Sequence, residues 1–246
     1  MRCYFLLLSL LLPWVEPVTA TPFEDALRAT VKLSGGAVAG TGFVIEKDEK
    51  HFLATAAHVM SDFKGEICQV VYRTECGKRK ERDLKIRDGE KALWKRHETL
   101  DVAVIEWRMP EDADCLPFPF DRIANKDVAQ KGIIGVGREI CIPCYPIKIE
   151  ANLSGWPVLR RGTIASHPLT PLKSAQTFLV DSSSFGGESG APVVAWEGND
   201  VLVVGVIIGM QRQTDRTKTP LEERISHLPL GLGIAVQSPY LRGLLE

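Results

Sequence analysis

No apolar run in this 246-residue chain reaches the roughly 20 residues that a bilayer span needs, so no transmembrane helix is expected. Charge of one sign is equally scarce. The balance of 30 basic against 31 acidic residues, a formal net charge of -1, leaves no electrostatic footprint for nucleic acid or an anionic membrane. Runs such as "GKRKERD" (77–83) look basic, but acidic residues interrupt them and they read as a solvated hairpin tip. Internal repeats and low-complexity tracts are absent, which sets aside solenoids and disordered tails.

What the chain does have begins with a leader. Residues 1–20 place Arg2 before an apolar stretch from Tyr4 to Leu12 and end on Val18-Thr19-Ala20, the pattern of a cleaved secretory signal. The reading is an exported protein, periplasmic or extracellular, starting near Thr21. The remainder is long enough for one large domain or two small ones sharing an interface.

Cys3 leaves with the leader, so Cys68, Cys76, Cys115, Cys141 and Cys144 remain, an odd set. Cys68 and Cys76 flank an expected hairpin arm and are the pair open to a disulfide. "CIPC" (141–144) sits in what reads as a strand, where positions three apart face opposite ways, so it suits neither a metal site with Cys115 nor a redox pair. Buried thiols are expected, and no metal or cofactor.

Short strand-like runs bounded by Gly, Pro or charged clusters fill the chain, with no sustained helical period between them. They divide six and six around "PEDADCLPFPFDRIANKDVAQKG" (110–132), a linker rich in Pro and Asp. The expectation is an all-β fold with 21–118 and 119–246 as its halves. Two short helices are expected, one after "TAAHV" and one at "SPYLRGLLE", where Ser238 caps and Pro239 opens the helix. The stretch 211–231 reads as a long irregular loop.

The chemistry gathers at three places. "SSSFGGESGAPV" (182–193) sets Ser189 among glycines, "ATAAHVM" sets His58 behind small residues, and "TLDVAVIEW" opens a strand on Asp101. A serine hydroxyl becomes a nucleophile when a neutral imidazole takes its proton, and a carboxylate on the far nitrogen fixes that imidazole. Backbone N–H groups of Gly187 and Ser189 suit the developing oxyanion, and glycine there permits close approach. Taken alone, the same loop reads equally as a polar turn between strands. His51, His97, His167 and His227 read as surface or capping residues.

"GTGFVI", "ATAAHV", "LDVAVI", "LRRGTIAS", "GESGAPV", "VVGVIIGM" and "GIAVQS" stand in the order and spacing of trypsin-like serine peptidases. The chain resembles most closely the exported bacterial branch that includes the HtrA proteases, over about residues 26–245. The resemblance implies two six-stranded antiparallel β-barrels and a serine endopeptidase acting on polypeptides; the trimeric or cage assembly of relatives is not carried over, and a monomer is expected. It assigns His58 as general base, Asp101 as orienting carboxylate, Ser189 as nucleophile, and Gly187 with Ser189 as oxyanion donors. It also puts Ser183 at the floor of the substrate pocket and Ile207, Ile208 and Met210 along its wall, which implies a small or medium apolar side chain before the cut.

The chain departs from the pattern in places. Glu188 precedes the nucleophile where animal trypsins have Asp, and no Ile-Val-Gly-Gly terminus is present, so activation by a new amino terminus is not expected. The PDZ domain of typical HtrA proteins is not expected after the barrels. "CYP" replaces the common "GYP", which puts Cys144 near the cleft. The alternative reading is a catalytically silent binding module of the same fold; a substituted triad residue would favour it, and none is seen.

Overall fold

A computed structural model describes residues 22–197, 200–218 and 223–246. The leader read at 1–20 lies outside them. Among the described residues no helix is long and apolar enough to cross a membrane.

The N-terminal half opens with α1 (Pro22–Arg28), followed by β1 (Thr30–Gly35), β2 (Val38–Lys47), β3 (Lys50–Thr55), α2 (Ala57–Asp62), β4 (Ile67–Arg73) and β5 (Arg79–Lys85). Then come the short strands β6 (Arg87–Asp88), β7 (Lys91–Ala92) and β8 (Lys95–Arg96), followed by β9 (Ala103–Glu106) and β10 (Phe118–Pro119). α3 (Lys126–Gln130) leads into the second half, with β11 (Glu139–Cys144), β12 (Val158–Ile164), β13 (Thr177–Asp181), β14 (Pro192–Glu197), β15 (Asp200–Lys218), β16 (Glu223–Gln237) and α4 (Ser238–Leu245).

The mostly-β class stands, and the second half is a closed six-stranded barrel in the order β11-β12-β13-β16-β15-β14. The first half differs in detail. Its sheet has eight strands along β5-β4-β1-β2-β3-β9-β8, with β10 pairing β2 in parallel, so its ladder does not close as a ring of six. Two-residue strands such as β8 and β10 have no hydrophobic alternation long enough to betray them in the sequence.

Strand alternation builds three packed layers. In β2, Val44 faces the core of the first half while Phe43 and Ile45 face the second. β15 mirrors it: Leu202 and Val204 enter the barrel core, whereas Val203 and Val206 join Phe43 and Ile45 in the shared layer. Both halves are thus apolar on two faces, which fixes how they meet. α4 closes this layer with Leu241 and Leu245, and truncating Leu241 to Ala is expected to cost about 3 kcal/mol, read as a drop in the urea midpoint.

Several expectations need correcting. The stretch 110–132 is no free linker: β10 pairs β2, Ile123 is fully buried and bridges Val203, and α3 follows. The irregular loop expected at 211–231 is the outer part of a long hairpin, paired from Arg212↔Pro229 to Lys218↔Glu223. Its polar residues give no apolar alternation, but backbone pairing does not need one. Gln237, not Ser238, takes the cap position of α4, and Ser238 Oγ instead donates to the Ala124 carbonyl at 2.9 Å. α1 went unread because its seven residues, about two turns, lack a sustained period.

The five cysteines among the described residues are all free. Cys68 is buried near one end of the β4–β5 hairpin, opposite Leu84, while Cys76 is exposed in the turn at the other end, so the hairpin itself holds the two apart. Cys141 and Cys144 are buried in β11, and desolvation holds both thiols above their usual range.

Candidate active site

α2 begins where β3 ends, and the small residues Ala56 and Ala57 let His58 leave the sheet toward the junction of the halves. Asp101 lies in the turn before β9. His97 shapes that turn: its Nδ1 accepts the N–H groups of Thr99 and Leu100 at 3.3 and 3.2 Å, and its own N–H donates to the Val102 carbonyl.

Asp101 grips His58 at two points. His58 Nδ1 is 2.5 Å from Oδ2, and the His58 backbone N–H donates to Oδ1 at 2.7 Å. The side-chain hydrogen bond raises the imidazole pKa against the opposing effect of burial. Burial pushes the Asp101 carboxyl up, but the hydrogen bonds from His58 outweigh it and hold the group below its ordinary value. The imidazole is left with Nε2 for other chemistry.

Ser189 stands between Glu188 and Gly190 on a turn clamped to the first half. Thr41 is the clamp: its N–H donates to the Ser189 carbonyl at 2.9 Å, and its hydroxyl donates to the Gly187 carbonyl at 2.9 Å. The same hydroxyl accepts the Tyr145 N–H at 3.1 Å. With those two carbonyls turned toward Thr41, the N–H groups of Gly187 and Ser189 have no protein acceptor among the described residues. Gly187 has φ +92°, and a Cβ there would lie 2.5 Å from the Tyr145 carbonyl.

The segment after β11 supports the Gly186–Gly187 turn from below, since Ile147 N–H donates to the Gly186 carbonyl at 2.6 Å. Lys32 of β1 holds that segment through the Lys148 carbonyl at 2.9 Å and Glu150 at 2.7 Å. Cys144, expected near the cleft, instead packs fully buried in the barrel core; its neighbour Tyr145 makes the contact.

Glu188 is buried, and burial raises its carboxyl pKa while Arg160 opposes the rise. Arg160 Nη1 of β12 sits 2.9 Å from Glu188 Oε1 and lies over the Phe185 ring. The buried carboxylate next to Ser189 thus has Arg160 as its counter-charge. Removing the partner leaves a buried charge unpaired. Arg160→Ala is therefore expected to cost about 3 kcal/mol, read by denaturant unfolding, and to slow any serine chemistry of the turn. An unchanged midpoint would count against this role.

A cleft of about 340 Å³ brings the parts together: His58, Ser189, Gly186, Ile207, Ile208, Gly209, Met210 and Arg212 line it. The sequence placed Ser183 at its floor; Ser183 is exposed and does not line it, whereas Ser184 does. The residues 182–187 form a loop, so strand parity gave no guide to which serine turns inward. Arg160, Thr41, Ser184 and Arg212 went unassigned in the sequence. Thr41 and Arg160 lie inside two of the quoted motifs, but their roles depend on partners more than 20 residues away. Among the described residues no His, Cys, Asp or Glu cluster suits a metal ion.

Residues 40–206 match the family model described as the trypsin-like peptidase domain. Among solved structures, the chain is similar to Rv3671c from M. tuberculosis H37Rv, in the inactive form of a serine-to-alanine mutant. That likeness has 17% identity, a TM-score of 0.53, and coverage of 94% of this chain and 95% of the other. The serine endoprotease from Yersinia pestis aligns at 16% identity and TM-score 0.55 over 94% of this chain and 66% of that one. An HtrA-type protease solved with a tripeptide aligns at 14% identity and TM-score 0.55, over 92% and 61%. No curated protein matches the sequence significantly.

Proposed function

Since the chain belongs to the trypsin-like peptidase family, we propose that it is a serine endopeptidase with Ser189 as nucleophile, His58 as general base and Asp101 as orienting carboxylate. The observation that carries this is the His58–Asp101 pair at 2.5 Å, with His58 and Ser189 lining one cleft. Ser189 Oγ attacks the substrate carbonyl carbon while His58 Nε2 takes its proton. The Gly187 and Ser189 N–H groups hold the oxyanion. Collapse of the tetrahedral intermediate expels the amine, which leaves with the proton from His58, and a water activated by the same imidazole then hydrolyses the acyl-enzyme.

Ile207, Ile208 and Met210 give the pocket an apolar wall, and Ser184 gives it a neutral hydroxyl. A small or medium apolar side chain before the cut suits that lining. The substrates are polypeptides met after export, and no metal or cofactor enters the steps.

Digestion of a denatured protein mixture, with new termini identified by mass spectrometry, tests the reading. Cleavage after small and medium apolar residues is expected; ester hydrolysis without peptide cleavage would sink it. The pH profile gives a second check. The base works only when neutral, and Asp101 raises its pKa, so kcat/KM should climb with pH through a midpoint above 6.5 and be lost in acid. A midpoint well below 6.5 would argue against His58 as the base.

A further inference from the structure

The long β15–β16 hairpin carries a surface that the reaction does not use. β15 leaves β14 after Val206, and Ile207 then bonds Gly190 and Ala191 through its carbonyl and N–H. Beyond that point β16 covers one edge of β15, and among the described residues no strand covers the other. An open edge that starts beside a reactive serine is a site for an added strand.

The side chains along this edge alternate between two faces, with Arg212 and Arg216 on one and Asp215 and Arg224 on the other. Directly opposed residues share a face, so Arg212 with Pro229, Thr214 with His227 and Arg216 with Ile225 lie on one side. The Thr214 Oγ1–His227 Nδ1 contact at 3.0 Å agrees with this. Asp215, hydrogen-bonded by Gln213 at 2.8 Å, faces the other way. Arg212 also lines the cleft, so the basic face begins at the reactive centre and runs outward. Both arginines are exposed, and among the described residues neither has a carboxylate in ion-pair range.

We propose that Arg212 and Arg216, which share the face of β15 running outward from the cleft, select polypeptides with acidic side chains on one side of the cut. The inference rests on the peptidase reading and adds a substrate class to it. Arg212 and Arg216 are four residues apart, about 13 Å along a strand, so an extended partner meets them with acids at the same spacing. A chain of net charge -1 has no general pull on polyanions, and a face that starts in a peptide-sized cleft favours a polypeptide over nucleic acid.

Binding tests this without turnover. Fluorescent peptides with one apolar core residue, flanked on either side by Glu or by Gln at four-residue spacing, are titrated by anisotropy onto the full chain bearing Ser189→Ala. One Glu peptide is expected to bind about fivefold to tenfold tighter than its Gln twin, with the preference shrinking in high salt. Adding Arg212→Gln and Arg216→Gln should abolish the preference, and Arg216→Gln alone, far out on the arm, should remove part of it. Equal binding, a preference that survives the double variant, or a single-stranded oligonucleotide that binds as tightly as the Glu peptide would each overturn the proposal. Serine labelling of the unmodified chain reports on the peptidase reading separately.

Discussion

Ser189→Ala is expected to lower peptide hydrolysis on the order of 10⁶-fold while leaving the fold intact. The hydroxyl is the only atom lost, and no hydrogen bond that holds the turn involves it. The clamp runs through backbone atoms: Thr41 N–H to the Ser189 carbonyl, and Gly190 N–H to the Ile207 carbonyl at 2.7 Å. Residual rate above water is expected from the N–H pair at Gly187 and Ser189, which still faces the developing oxyanion. Steady-state hydrolysis of a fluorogenic peptide, alongside thermal unfolding, checks both halves of the statement. Loss of activity accompanied by a large fall in Tm would instead make Ser189 a structural residue, and retained activity would remove it from the mechanism.

The second large effect belongs to Gly190. Its φ is +89°, and a Cβ there would lie 2.0 Å from the Thr41 carbonyl oxygen, 2.1 Å from Thr55 Oγ1 and 3.0 Å from the Ala56 N. Two of the three are backbone atoms, and the third is pinned because Thr55 Oγ1 donates to the same Thr41 carbonyl at 2.7 Å. None can retreat without opening the β2–β3 ladder that delivers His58. The left-handed backbone costs a non-glycine residue about 1–2 kcal/mol before any clash, and overpacking against fixed atoms adds about 1–3 kcal/mol. Gly190→Ala is thus expected to lose about 4 kcal/mol and to separate Ser189 from His58, abolishing activity. Gly186→Ala is the control, since a Cβ at 186 meets nothing within 4 Å. Equal urea midpoints for the two variants would contradict the close approach.

These two residues also show what the sequence made legible. A glycine-rich turn around one serine, a histidine behind alanines and an aspartate opening an apolar strand are local signals, and each lies where its type and neighbours demand. Pairing of distant parts is what the sequence concealed. Arg160 reads as one of two adjacent arginines in a strand, and only the barrel shows that it is the one meeting the buried Glu188. The outer hairpin hid for another reason: exposed on both faces, it has no apolar period, and its strands are held by backbone bonds that depend little on side-chain type. The inward serine at 184 in place of 183 belongs to a loop, where no period exists to predict direction. The eight-stranded first sheet escaped because its short strands are fixed by tertiary pairing, as Phe118 is by Ile45.

Activation of Ser189 by His58 is tested most directly by covalent labelling. The purified chain is treated with a fluorophosphonate and digested, and the adduct is located by mass spectrometry. A single phosphonylated peptide containing residues 182–193, modified at Ser189 and absent after His58→Ala, is the predicted result. No adduct on the folded chain, an adduct on another serine, or labelling of Ser189 that persists undiminished without His58 would contradict it.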